Sequence, residues 1–297
     1  MPRSNTIFLL LLTALVAVST SSLFARFLPG LAAVSIAFWR MAVASTLLWS
    51  WTAIKPQSKM SRTHLKKTLL AGMFLGFHFA CFFGALKLTS VANATVFATM
   101  APIFTALIER FYLRRRWNVA IIAGLLLSVV GGILINTGGY HFAGQGRWGD
   151  GLALLSSLWM ALVLLIAEDI RQDTGTIAYS RLVYSIAGVT LFLIALVTGV
   201  RVFQFEGQDI LWLFLLGLIP TVVGHTLFSY AVKFIRPTVV ASVPLGEPVI
   251  ASLLAWIFLA EPVPGLTIAG GVITLTGLAL ITRNQTAAPT DFQIDTL

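Results

Sequence analysis

A carboxylate set between two helix breakers is the first feature with chemical potential. Glu247 lies between Pro244 and Pro248 in residues 238 to 261, an otherwise apolar stretch long enough to cross a bilayer. An Asp or Glu near a bilayer centre costs roughly 2.5 to 3.5 kcal/mol on insertion scales, so such groups face a protein interior or a wet cavity. Each proline removes a helix hydrogen bond and leaves carbonyls free to meet a ligand, an ion or water. This chemistry suits a cation or proton site, or a polar anchor for a solute, because protonation removes the cost of burying the charge. The plainer alternative is a paired or neutral carboxyl that fixes helix packing, with Arg40 or Arg181 as its partner.

The other candidates are also polar residues in apolar surroundings. His78 and His225 can titrate near neutral pH or hydrogen-bond a solute, though a lone membrane histidine also serves packing. Phe82 follows His78 by four residues and shares its helix face, with Phe79 and Phe83 widening an aromatic surface; Thr221, His225 and Phe228 share another face. Such walls suit a flat or amphipathic organic solute. Trp159 is too deep in its run for an interfacial anchor and, with Ser156, could stack on that solute or simply pack. Arg40 and Arg181 lie close to the starts of their runs, where their stems can snorkel to the interface, bind carboxylates or hold gate pairs. Asn93 has the chemistry for a bond between helices. No H-E-x-x-H, G-x-S-x-G or Walker pattern occurs, so neither an enzyme, a metal site, a cofactor nor a nucleotide-driven pump is expected.

The elements that must position these groups are membrane helices. Of the 297 residues, 58% are hydrophobic and 10% charged, and the mean hydropathy is +0.91; soluble domains carry about 25% charged residues. The net charge of +9 forms no stripe with interleaved aromatics, so a lipid bilayer, and not nucleic acid, is the expected partner. A bilayer core takes about 20 apolar residues per helix. Ten runs fit, at about 7 to 25, 32 to 54, 68 to 87, 91 to 112, 117 to 137, 150 to 170, 179 to 200, 210 to 233, 238 to 260 and 264 to 282. The first has the look of a signal peptide but is needed as a helix by the repeat described next. Cys81 is the one cysteine, so no intrachain disulfide forms. Residues 284 to 297 are expected to form a disordered cytoplasmic tail.

With both termini inside, inner segments hold 14 of the 20 Lys and Arg and outer loops 4, and this bias sets the orientation. At an offset of 146, Pro102 falls on Pro248, Leu113 on Leu259, Gly124 on Gly270, Gly131 on Gly277 and Lys87 on Lys233; with a gap, Arg40 falls on Arg181. Five helices per unit, an odd number, force the second copy to enter the membrane from the other side. The expected fold is therefore all-α, ten transmembrane helices in two inverted five-helix repeats, residues 1 to 140 and 150 to 283. Such transporters bind solute near the midplane, where the halves meet. Pro102, Pro244 and Pro248 are then helix irregularities at a cavity. Gly124, Ser128 and Gly132, four residues apart, together with Gly270 and Thr274, suggest close packing of the fifth and tenth helices.

Phe38-Trp39-Arg40, residues 89 to 102, and Glu247-Pro248 followed by Phe258-Leu259-Ala260-Glu261 resemble the EamA family of the drug/metabolite transporter superfamily, as two tandem units. The resemblance implies a central cavity lined by helices 1 to 4 and 6 to 9, and export of small metabolites across a bacterial inner membrane. Where the family often has an acid after its fourth helix, this chain has Arg115, while the second unit keeps Glu261. The expected function is secondary transport of amino acids or other amphipathic organic compounds by alternating access. A lipid-handling protein and a non-transporting scaffold are the alternatives. Glu247 and the histidines permit proton coupling without requiring it, and the oligomeric state is left open.

Overall fold

The computed structural model describes residues 4–57, 60–89, 91–116, 118–136, 146–260 and 263–284. Glu261, Trp117 and the expected tail beyond residue 284 lie outside them, as does the side chain of Asn93. In lipid the backbone must satisfy its own hydrogen bonds, which leaves helices as the only way for chains this apolar to cross. Ten crossings follow in order: α1 (Ser4–Arg26), α2 (Ala33–Ile54), α3 (Arg62–Leu88), α4 (Val91–Ala98) with α5 (Ala101–Phe111), α6 (Val119–Asn136), α7 (Arg147–Asp173), α8 (Thr176–Thr198), α9 (Asp209–Leu216) with α10 (Thr226–Ala231), α11 (Pro237–Ser242) with α12 (Glu247–Leu259), and α13 (Gly265–Arg283). Nine described segments are long and apolar enough to span a bilayer, and the shorter Val119–Ile135 supplies the other crossing.

The packing obeys the inverted repeat. Helix α6 lies along α13, and α2 along α8, each pairing repeat-related partners; α3 packs on α7 and α8, while α1 and α2 pack on the interrupted eighth crossing. Exchanging the two halves maps the first two pairings onto themselves and converts the two contacts of α3 into those of the eighth crossing. At the α6–α13 contact the exchange holds atom by atom. Ser128 Oγ donates to Thr274 O at 3.2 Å and Thr274 Oγ1 to Ser128 O at 3.4 Å. A Cβ on Gly124 would fall 2.6 Å from Gly277 O, one on Gly277 2.5 Å from Gly124 O, and those on Gly131 and Gly270 2.6 Å from each other's carbonyl. The close contact uses Gly131, whereas a Cβ at Gly132 would meet nothing within 4 Å. Helical geometry explains this correction to the four-residue spacing: a step of seven returns to about the same face, and a step of eight drifts by roughly 80°.

The fourth crossing of each half is interrupted at the same repeat position. Helix α4 ends at Ala98 and α5 restarts at Ala101, and α11 gives way to a tight 3-10 turn, Val243–Gly246, before α12 restarts at Glu247. Positions 101 and 247 are 146 apart. Pro102 stands in the first turn of α5 and Pro248 is the second residue of α12, where a missing N–H is tolerated. The prolines thus mark restarts instead of breaking hydrogen bonds within a continuous helix. Both crossings then close on a non-glycine residue with a left-handed backbone, Arg114 (φ 52°) and Ala260 (φ 54°), again 146 apart.

Candidate functional site

Proline also shapes the eighth crossing. Pro220 cannot donate to the carbonyl four residues back, and residues Gly217–His225 run as π-helix around it. The hydroxyl of Thr221 donates to Leu216 O at 3.0 Å, occupying the carbonyl that a proline at 220 leaves without its α-helical donor. The carbonyl of Thr221 in turn accepts from the Tyr184 hydroxyl at 3.3 Å and from Thr226 Oγ1 at 3.4 Å.

Arg40, buried at 5% exposure, reaches this segment from α2. Its Nε donates to Thr221 Oγ1 at 2.7 Å, and its guanidinium lies over the Phe79 ring, 4.7 Å from the centroid. Phe79 also meets the ring of His225 edge-on at 5.8 Å, and His225 meets Phe228 at 6.0 Å. Glu247, at the head of α12, is half-buried and interacts electrostatically with Arg40. Among the described residues neither Glu247 nor the terminal nitrogens of Arg40 have a hydrogen bond or ion pair. An arginine and a glutamate from opposite halves therefore share one aromatic-walled site without pairing directly.

The remaining sequence candidates divide around this centre. His78 lies beside Phe79 with ring centroids 4.8 Å apart, and its Nδ1 is 2.9 Å from both the carbonyl and the hydroxyl oxygen of Ser156, which ties it to α7. Phe82 packs against Phe83 at 5.3 Å; Phe79, not Phe82, carries the contact to His225. Trp159 stacks on Phe74 at 5.0 Å and lies near Phe77 at 5.5 Å, on the flank of α3 away from Phe79. Arg181 sits over the Trp49 ring at 4.3 Å and shares no described contact with Glu247. Pro244 opens the 3-10 turn just before Glu247. Among the described residues no group of three or more His, Cys, Asp and Glu is placed to hold a metal ion.

A second polar assembly, not legible as such in the sequence, lies at the end of the bundle where α5, α7 and α11 meet. Arg115 Nη2 pairs with Glu168 Oε2 at 2.9 Å and Nη1 with Glu109 Oε1 at 3.4 Å. Glu109 also accepts from the Thr238 backbone N–H at 3.3 Å. All three charged side chains are buried, at 5 to 7% exposure, and a cleft lined by Ala106, Asn118 and Arg236 opens beside them. The left-handed backbone at Arg114 turns the chain so that Arg115 points inward, and Arg115 N–H donates to Glu109 O at 2.8 Å.

Two inverted five-helix halves, matched interruptions in their fourth helices and opposed charges between the halves give this molecule the construction of a membrane transporter. The sequence profile of the EamA-like transporter family matches residues 4–137 and 147–283, and the chain belongs to that family. It is 28% identical over 262 residues to an uncharacterized transporter of Archaeoglobus fulgidus, covering 84% of this chain and 88% of the relative. It is 24% identical over 256 residues to the pseudopaline exporter CntI of Pseudomonas aeruginosa, covering 86% and 88%. A solved crystal structure superposes with a TM-score of 0.80 over 94% of this chain and 97% of the other, at 18% identity, a likeness of fold alone. The protein is thus a multi-pass membrane transporter, its partners a small-molecule substrate and the lipid bilayer.

Proposed function

We propose that the protein is a secondary transporter exporting small amphipathic organic metabolites, amino acids foremost, through a crevice between its two halves. The observation that carries this reading is a buried Arg40 over Phe79, beside His225 and Phe228, that is coupled electrostatically to Glu247 of the other half with no direct pair among the described residues. The aromatic rings suit an apolar side chain, and the two opposite charges suit the polar end of the same solute. His78, beside Phe79, and Phe82, packed on Phe83, extend this wall, while Trp159 backs the opposite flank of α3. Arg181 and the three prolines shape the scaffold around the site.

Export follows the printed function of the Pseudomonas relative. The Lys and Arg bias supports an orientation with both termini cytoplasmic, in a bacterial inner membrane. In that orientation the Glu109–Arg115–Glu168 assembly lies at the cytoplasmic end, where it holds the crevice shut. Glu247 is the group through which a proton gradient would act. The units of residues 1 to 140 and 150 to 283 interleave their helices around this crevice. The test is flux from liposomes containing the purified chain, loaded with labelled aromatic and aliphatic amino acids, with and without an imposed pH gradient. Efflux above that of empty liposomes supports the reading. A gradient effect that persists in Glu247→Gln removes Glu247 from the coupling role.

A further inference from the structure

We infer that the terminal fork of Arg40 is a binding site for the free carboxylate of the transported solute, and that Thr221, on the π-helical turn, is the residue that positions it. The inference deepens the transport reading and rests on it. Arg40 is more than nine-tenths buried, yet among the described residues only its Nε has a hydrogen-bond partner, Thr221 Oγ1 at 2.7 Å. The Thr221 hydroxyl has already given its proton to Leu216 O. Toward Arg40 it acts as an acceptor, which suits a cation that has no lone pair to offer in return. Phe79 supports one face of the guanidinium plane at 4.7 Å. Held at Nε and on its face, the group has only its two terminal nitrogens free.

A planar pair of N–H donors in that state matches a carboxylate bidentately. In a side chain this buried the fork is shielded from bulk water, so a solute that supplies a carboxylate gains affinity that an uncharged analogue lacks. Glu247, coupled electrostatically to Arg40 and without a hydrogen bond or ion pair among the described residues, complements an ammonium group. The solute class is therefore one that carries a carboxylate and an amine together, with an apolar remainder for Phe79 and Phe228. The π turn makes Thr221 part of the device. It exists because Pro220 lacks an N–H, and Tyr184 braces it through the Thr221 carbonyl. A return of the eighth crossing to α-helical register would rotate Thr221 relative to Arg40, so carboxylate binding and the register of this helix are linked.

The experiment measures flux of labelled L-phenylalanine and L-leucine, their carboxamides, and uridine as a solute without a carboxylate, in proteoliposomes of the full chain. Wild type is expected to move the acids at least about tenfold faster than the amides at equal low concentration, the loss expected on removing a charged hydrogen-bond partner. Thr221→Val, which keeps shape and removes the hydroxyl, raises KM for the acids by a similar factor, and Thr221→Ser restores it. Arg40→Lys loses the preference for acid over amide. Amides moving as fast as acids, or transport confined to uridine, overturns the carboxylate assignment while the transporter reading stands. A Thr221→Val protein with wild-type KM overturns the positioning role. Wild-type flux equal to that of empty liposomes for every solute overturns the transport reading, and the assignment with it.

Discussion

Glu168→Gln probes the buried ionic assembly with almost no change of shape. Arg115 spans Glu168 at 2.9 Å and Glu109 at 3.4 Å, and each side chain is at most 7% exposed. Removing one member of a buried ion pair costs about 3 to 5 kcal/mol, because the other charge is left uncompensated. Here Arg115 keeps Glu109, and the substituted amide still accepts one hydrogen bond, so about 2 kcal/mol is a reasonable share of that loss. If the assembly is intact only when this end of the bundle is closed, the ratio of closed to open molecules falls about 30-fold. The natural Cys81 is the only cysteine, so a Cys81→Ser chain carrying Ala106→Cys reports on this end alone. Ala106 is buried at 7% exposure beside the cleft. Its labelling by a membrane-impermeant maleimide in inverted vesicles should accelerate by about 30-fold in Glu168→Gln. Adding Arg115→Gln should add far less than it does alone, since the two side chains form one interaction. Labelling that stays within about threefold of the parent, or strictly additive effects of the two substitutions, would refute the reasoning.

Four further outcomes are expected. Gly277→Leu forces a side chain to within 2.5 Å of Gly124 O; backbone cannot yield as a side chain can, so the cost exceeds the usual ~1 to 3 kcal/mol of overpacking, read as loss of thermal stability in detergent. Gly132→Leu, one residue from the contact face, should leave that stability nearly unchanged. Arg181→Ala removes a guanidinium stacked on Trp49, an interaction of about 0.5 to 1 kcal/mol, and should leave flux within about threefold of wild type, unlike Arg40→Ala. Accessibility labelling of the basic loop around residues 55 to 67 should reach it from the cytoplasmic side only.

Hydropathy made the ten crossings legible because lipid demands long apolar helices whatever their packing. The inverted repeat was legible because its shared glycines and prolines sit where two backbones meet or a helix restarts. The meaning of the prolines was harder to read. A proline in an apolar run signals an interruption, but whether it breaks a helix or begins one depends on the preceding turn, as Pro102 and Pro248 show. Pro220 stands in a run that otherwise reads as plain helix, yet it is the local signal for the π turn. Glu247 and the histidines stood out as polar residues at depth. Phe79 reads from the sequence only as widening the aromatic surface beside Phe82, because the register of α3 against α2 and the π-helical segment is what sets the two apart. Glu109 and Glu168, as carboxylates near the ends of apolar runs, read as solvated; their burial depends on Arg115 turning inward after the left-handed Arg114. Arg40 and Arg181 were indistinguishable from the repeat alone, and they part only in what each side chain meets, Thr221 and Phe79 for one and Trp49 for the other.

The central claim is that solute passes between the two halves and meets the residues around Arg40 and Glu247. A cysteine placed at His225 in the Cys81→Ser chain tests it most directly, because His225 is half-buried there between Phe79 and Phe228. The account predicts that an impermeant maleimide reaches this cysteine from either face of the membrane, in right-side-out and in inverted vesicles, and that a transported amino acid slows the reaction from both. A cysteine that reacts from one face only, or at a rate that no transported solute changes, would contradict it.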